Sequence, residues 1–598
     1  MLETSLEHLA RADLIRRVPV ILEIEYMFKH GLVQETTYQA LLKQDRKRLH
    51  RLVAEALEHT ADANAFAALL AKHWDEAGDT ARAFMYYVHA GDQAARVYAN
   101  TEASSAYQRA LELASALELS RDQILHLYIQ RGRVYELNAQ YDNALENYAV
   151  MEAVARTRQD STLELEAVLA RIPIYATPNA RFDFEHASIL AHQAITRARE
   201  LNDRAAEAKA LWLQMLVYSR ANQPHDAIPS GEAALKLARE LKLRELTAYA
   251  LNDLGGVYIG EGAFERGLAS LQEANNLWRE LDNLPMLADN LSSRASYLIY
   301  AGEMNQALNL SDEAYRITDR IGNLWGKSFS LFAVGVAHME RGEFATAIAK
   351  MRECIQIGDR AGFIAPHLDT QIELARAYAR LGATKYAIEL GERTREEIQV
   401  FPRGLPLSHA ALAEFYAEAG ELERAAEQLQ NARETLALAN NLLIYQMYIE
   451  RAALILAAAR GDWQNVRARC TEFIRRLEST HVHLYLADAW HYHARASFHL
   501  GEMTEAFNAL ARAGAAAQAI GSRWMLWQIH SLRAEMEQAR GNSALAEESL
   551  AQARTFIHFI AEQTPENLRA GFLNRKDVRE AMDSSPRHAS AHNVQGKA

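Results

Sequence analysis

Apolar and polar positions along this chain follow the 3.6-residue rhythm of amphipathic helices, and glycine interrupts that rhythm at regular intervals. The interruptions fall at Gly262, Gly302, Gly342, Gly382, Gly420, Gly461, Gly501 and Gly541, a period of about 40 residues. Around Gly262 the pattern is explicit. Leu251, Leu254, Gly255 and Tyr258 precede it, and Gly267, Leu271 and Ala274 follow. Small residues recur at two places: seven residues before the turn (Gly255, Ala295, Gly335, Ala375) and five after it (Ala307, Ala347, Ala387, Ala425). Aromatic residues recur four before it, as Trp74, Tyr135, Tyr218, Tyr258, Tyr378 and Tyr416. Two antiparallel helices approach to about 8–10 Å only where small side chains meet. A glycine after the first helix supplies the left-handed cap that turns the chain back. The pattern therefore predicts a helix, a turn and a second helix, repeated with the period of the glycines. Weaker copies centre on Gly78, Tyr98, Ala139, Ala180 and Asn222.

These positions resemble the tetratricopeptide signature, from about Phe66 to Ile560. The resemblance implies an all-α, right-handed superhelical solenoid of antiparallel helix hairpins. Each hairpin buries its apolar face only by stacking on its neighbours. The usual repeat is shorter, at about 34 residues. The surplus is expected between hairpins, in stretches such as RELDNLPML and DRAGFIAPHL. On this template the first helices line a concave face that binds a peptide or a partner domain. Groove positions lie thirteen, ten, six and three residues before each turn glycine. They select Tyr249, Asn252, Arg376, Tyr448, Arg451, Asp488, His491 and Arg495 as candidate binding residues. Arginine and tyrosine are enriched at binding hot spots. The Lys/Asn clamp that chaperone-binding members use for a C-terminal carboxylate is not evident.

Residues 1–60 do not fit the period. They read as a helix (Leu6 to Arg16), a strand (Ile24 to Phe28) and two helices (Gln34 to Leu42, Asp45 to Leu57). Phe28, His30, Leu32, Gln34, Tyr38, Leu41 and Leu42, then Arg46 or Arg48, Leu49 and His50, resemble a junction in STAND-type signal-transduction ATPases, including large ATP-dependent transcriptional regulators and cyclase-linked regulators. In that family the segment follows the NTPase and its winged-helix region and leads into a tetratricopeptide arm. PENLRAGFLNRKDVREAM (Pro565 to Met582) resembles the end of such arms. The implied organisation is a partial winged-helix or helical junction at 1–60, a solenoid at 61–560, a capping segment at 561–582 and a disordered tail at 583–598. By this resemblance the chain is the sensor arm of a bacterial regulator without its ATPase. It would act on a protein or peptide partner, with a small-molecule inducer as an alternative.

Composition narrows this further. Alanine, leucine, glutamate and arginine dominate, which favours helix, and there are 11 prolines and 28 glycines in 598 residues. The net charge of −12 argues against a nucleic-acid partner. The basic run KQDRKRLHR (Lys43 to Arg51) lies in a segment, 1–60, with nine Lys/Arg and nine Asp/Glu, and reads as a solvated helix face. Two cysteines, Cys354 and Cys470, and no basic–apolar leader point to the cytoplasm and to buried thiols. GNLWGKS (Gly322 to Ser328) has three residues between its glycines where a phosphate loop needs four, and it falls at a hairpin link. His481, His483, His491 and His493 lack the i,i+3 or i,i+4 spacing of a helical metal site. No catalytic constellation and no cofactor or metal site is expected. Three rival readings are a free-standing scaffold, a DNA-binding transcriptional regulator, and an enzyme with an unrecognised site.

Overall fold

The computed structural model of the chain describes residues 2–20, 23–59, 63–177, 179–221, 223–361, 365–400, 404–438 and 443–583. Among the described residues it is all-α apart from one two-stranded sheet, and the helices pair into antiparallel hairpins. Two compact units result, Met1–Tyr135 and Glu136–Ala598.

The regularity comes from one local device. Helices Arg244–Gly260, Phe264–Glu280, Leu284–Tyr300, Met304–Arg320 and Leu324–Glu340 each have 17 residues, with three-residue turns between them. Each turn holds one left-handed residue: Gly262 (φ 87°), Asp282 (φ 50°), Gly302 (φ 82°), Gly322 (φ 68°). The residue after it closes the helix, as Ala263 N–H donates to the Tyr258 carbonyl at 2.9 Å and Asn283 N–H to that of Trp278 at 3.2 Å. The turns between hairpins are thus built like the turns within them. Across these five helices the surplus over the common repeat length lengthens the helices and does not form linkers: Arg279 and Glu280 of RELDNLPML end one helix, and Leu284 begins the next. Part of DRAGFIAPHL lies outside the described residues. GNLWGKS is such a turn, with Asn323 Oδ1 capping the Gly326 N–H at 3.0 Å. Tyr98 and Ala139 are left-handed as the repeat requires (φ 58° and 57°). Ala180 lies in a turn without that conformation, and Asn222 is outside the described residues.

Small residues stand where helices cross. A Cβ on Gly255 would lie 2.9 Å from the Gly267 carbonyl oxygen, so no larger residue fits without displacing backbone. Cys354 and Cys470 are buried on second helices, and burial pushes both thiols up.

In the second unit, first helices contact first helices and form an inner layer, with second helices outside. Successive superhelical turns touch. The C-terminal ends of first helices meet the N-terminal ends of those five hairpins later. His483 and Leu484 N–H donate to the Tyr300 carbonyl at 2.8 and 3.1 Å. Ser522 Oγ donates to Glu340 Oε2 at 2.8 Å, and Arg523 Nη1 to the Arg341 carbonyl at 3.2 Å. Arg575 Nη1, between the capping helices Glu566–Leu573 and Lys576–Asp583, donates to the Ala379 and Arg380 carbonyls at 3.1 and 3.2 Å. One hydrophobic cluster runs from Ile259 to Ala581 through these turns.

The N-terminal elements differ from the sequence expectation. The first helix is Leu2–Arg11, not Leu6 to Arg16, and ends before left-handed Asp13 (φ 62°). Ile15–Val20 then pairs antiparallel with Glu23–Phe28, Ile15 opposite Phe28. The helices that follow are Gly31–Ala40 and Lys43–Glu58. The segment 584–598 lies outside the described residues.

Candidate functional site

The inner wall of the second unit holds all eight residues selected from the sequence, and it divides them. Arg376, Tyr448, Arg451, Asp488 and His491 are buried, at 3%, 2%, 7%, 6% and 6% exposure. The template expected a solvent-facing groove here; pairings between adjacent first helices, and Tyr300 of an earlier turn beside Tyr448, take up these charged and tyrosine side chains instead. Tyr249 is half-buried, Asn252 is buried, and Arg495 is exposed beside the Trp463 ring at 5.6 Å.

Four of the sealed residues, Arg376, Tyr448, Arg451 and Asp488, join one charge network that crosses four first helices. Arg376, on Ala365–Arg380, pairs with Glu373 and donates through Nε to Glu414 Oε2 at 3.3 Å. Glu414, on Leu405–Glu418, also accepts from Arg451 of Leu443–Ala459. Arg451 Nε in turn donates to Asp488 Oδ1 at 3.1 Å, on Leu486–His499. Tyr448 Oη donates to Glu373 Oε1 at 2.9 Å and lies 3.2 Å from Tyr300 Oη on an earlier turn. A second pair, Arg380 and Glu340 at 2.8 Å, joins Ser522. Buried charges persist only when paired and hydrogen-bonded, and the titration shifts follow. Burial works against the Glu414 carboxylate, yet Arg451 and Arg376 hold it below its ordinary range. Burial raises Asp488 despite Arg451. Burial, helped by Arg495, lowers the His491 imidazole to about 3, so it stays neutral.

A second stretch of the wall is half-buried. Asp253 accepts the Trp212 indole N–H at 2.8 Å, and Asp289 accepts from Asn252 Nδ2 at 3.3 Å. Behind them, Asn290 donates to Asn252 at 2.9 Å and accepts from Asn275 at 2.9 Å, which fixes the Asn252 amide. Trp212 and Tyr249 rings pack 4.7 Å apart. Burial and the neighbouring Asp253 carboxylate push Asp289 up to about 7, and burial raises Asp253 too. Asp289 lies thirteen residues before Gly302 and Glu414 six before Gly420, so the groove offsets contain both although the sequence reading singled out neither. Asp253 and Glu373 sit nine before their turn glycines, an offset the template does not use.

The four histidines part company. His481 faces Glu265 (3.5 Å), His483 the Ala301 carbonyl (3.1 Å), and His493 Glu505 (3.9 Å). Among the described residues no group of three or more His, Cys, Asp and Glu could hold a metal ion, and no helix is long and apolar enough to cross a membrane.

No protein-family model matches this chain. An uncharacterised protein of Rhizobium meliloti (strain 1021) is 29% identical over 121 residues, which is 20% of this chain and 12% of that protein's length. Among solved structures, the APC/C hetero-tetramer Cut9-Hcn1 aligns over 92% of this chain and 98% of its own, at 18% identity and TM-score 0.41. Aspartyl phosphate phosphatase F from Bacillus subtilis aligns over 60% and 95%, at 13% and 0.37. A Rap protein complexed with competence and sporulation factor aligns over 73% and 98%, at 14% and 0.28. At these scores none carries an argument about this chain, whose fold stands on its own tetratricopeptide-type hairpins.

Proposed function

We propose that this chain is a non-catalytic regulatory arm that binds a segment of a protein partner on the half-buried stretch of its inner wall. The observation that carries the reading is that Asp253 and Asp289 stand on the half-buried stretch, near one cation, Arg220, while Glu373, Glu414 and Asp488 of the sealed stretch are taken up by Arg376 and Arg451. Two carboxylates sharing one nearby cation favour a further cationic side chain, through charge. The partner segment therefore presents Lys or Arg. Arg376, Arg451 and Asp488 hold the wall's shape and do not touch the partner.

The junction-like residues Phe28 to His50 support placing this arm beside an ATPase, in cis or in trans, as in bacterial signal-transduction and transcriptional regulators. An ATPase encoded in frame with, or next to, this chain supports that setting. Peptide-display panning on the full chain tests the binding claim. Selected peptides are expected to be enriched in Lys or Arg and to lose about tenfold or more in affinity against Asp253→Asn/Asp289→Asn. Enrichment without cationic residues, or affinity indifferent to that variant, overturns it.

A further inference from the structure

Helix Lys43–Glu58 is apolar on two faces, and only one of them is used. Ala54 is fully buried and Leu57 partly so, against Leu70, Trp74 and Ala83. Polar contacts fix the same side: Glu58 Oε1 accepts from Trp74 Nε1 and Tyr86 Oη, both at 3.0 Å, and His50 Nδ1 lies 2.7 Å from His73 Nδ1. The other face carries Leu42, Leu49, Leu52 and Val53 at 72%, 43%, 53% and 42% exposure. Leu49 and Val53 are one helical turn apart, and Leu42 is two turns before Leu49, so they form one stripe. The preceding helix, Gly31–Ala40, buries no residue at all and exposes Leu32 at 76%. A ten-residue helix without tertiary burial is marginal in water. A helix apolar on opposite sides belongs in a sandwich of two partners.

Charge identifies the second partner. Arg46 and Arg48 flank the stripe, within the basic run KQDRKRLHR that Asp45 alone opposes, in a chain whose net charge is −12. Phosphate backbones would meet the arginines and leave the leucines in water. We propose that the outer face of Lys43–Glu58 is a docking surface for an acidic amphipathic helix of another protein. Leu and Val of the stripe bury that helix's apolar edge, and the arginines pair with its flanking carboxylates. This surface shares no residue with the inner wall, and the proposal stands or falls independently of what the wall binds.

The test uses the full chain and fluorescein-labelled probes. The first is a three-heptad peptide with Leu at the core positions and Glu at the flanking ones. The second is the same peptide with Lys in place of Glu. The others are a duplex DNA and phosphatidylserine-containing vesicles. The Glu peptide is expected to bind about tenfold or more tighter than the Lys peptide. Leu49→Ser/Val53→Ser should abolish that binding, and Arg46→Glu/Arg48→Glu should invert the preference. An unchanged thermal melt and an intact Trp74 environment show that both variants fold. The proposal is overturned if the Glu peptide does not bind, or if the two peptides bind alike. It is equally overturned if DNA or vesicles bind in place of the peptide, or if the chain dimerises through this face so that a second copy is the occupant.

Discussion

Replacing Arg451 by Met tests the sealed network most sharply. In the native wall its guanidinium lies between Glu414 and Asp488, and all three side chains are under a tenth exposed. The substitution keeps the volume roughly constant, so the packing term is small. The electrostatic term is not. Glu414 keeps Arg376 at 3.3 Å, but Asp488 loses the arginine that offsets its burial. Breaking a buried pair from one side costs about 3–5 kcal/mol. The sign with pH is unusual for a carboxylate. Asp488 already has a folded-state pKa above its ordinary 3.8, and losing Arg451 raises it further. The folded state then binds more protons than the unfolded state above pH 3.8, so the variant weakens as pH rises through that range and recovers as it falls. An array of this length need not unfold in one step, so the assay is hydrogen exchange read by peptide. Protection in 405–418, 443–459 and 486–499 should fall at pH 8 and be partly restored at pH 5.5, while 204–220 stays unchanged. Equal protection at both pH values would falsify the assignment of Asp488 as the stranded charge.

Other consequences follow from single positions. Gly267→Ala forces a methyl to 2.5 Å from the Gly255 carbonyl oxygen and should cost about 1–3 kcal/mol in thermal melts, whereas Gly514→Ala, with open space around the added carbon, should stabilise its helix by up to about 1 kcal/mol. Asp289 titrates near 7 when folded, so wild type should lose stability as pH rises from 3.8 toward 7; Asp289→Asn should flatten that slope in melts between pH 5 and 8. Both thiols are buried and raised, so Ellman's reagent should find no reactive cysteine in the native chain and two after denaturation.

The repeat and its helix pairs were legible because one glycine per hairpin marks them. The alternate turns were not, because Gln159, Asn202, Lys242, Asp282 and His481 adopt the same left-handed conformation without glycine. The closure of the superhelix left a trace in the same glycines. A Cβ on Gly302 would meet Ile520 Cγ2 at 2.7 Å, and one on Gly342 would meet Ile560 Cγ1 at 2.7 Å. Turn glycines here serve the cap and also the contact with the next superhelical turn, and a repeat read one hairpin at a time sees only the cap. In the same way Arg376, Tyr448, Arg451 and Asp488 read as groove residues, although partners on neighbouring repeats, and Tyr300 on an earlier turn, bury them. The β-hairpin at Ile15–Phe28 was half visible: its second strand is expected over Ile24 to Phe28, but the start of its first falls where the sequence suggests a helix to Arg16, which instead ends at Arg11.

The turn-on-turn contact closes the superhelix along one edge of the inner wall, and disulfide trapping measures it directly. His483 Nδ1 lies 3.1 Å from the Ala301 carbonyl oxygen, 182 residues away in sequence. With Cys354 and Cys470 replaced by alanine, Ala301→Cys/His483→Cys should form an intramolecular disulfide rapidly under mild oxidant, giving a monomer of altered mobility. A chain that stays reduced, or that cross-links only between molecules, would show the superhelical turns standing apart and would contradict the account.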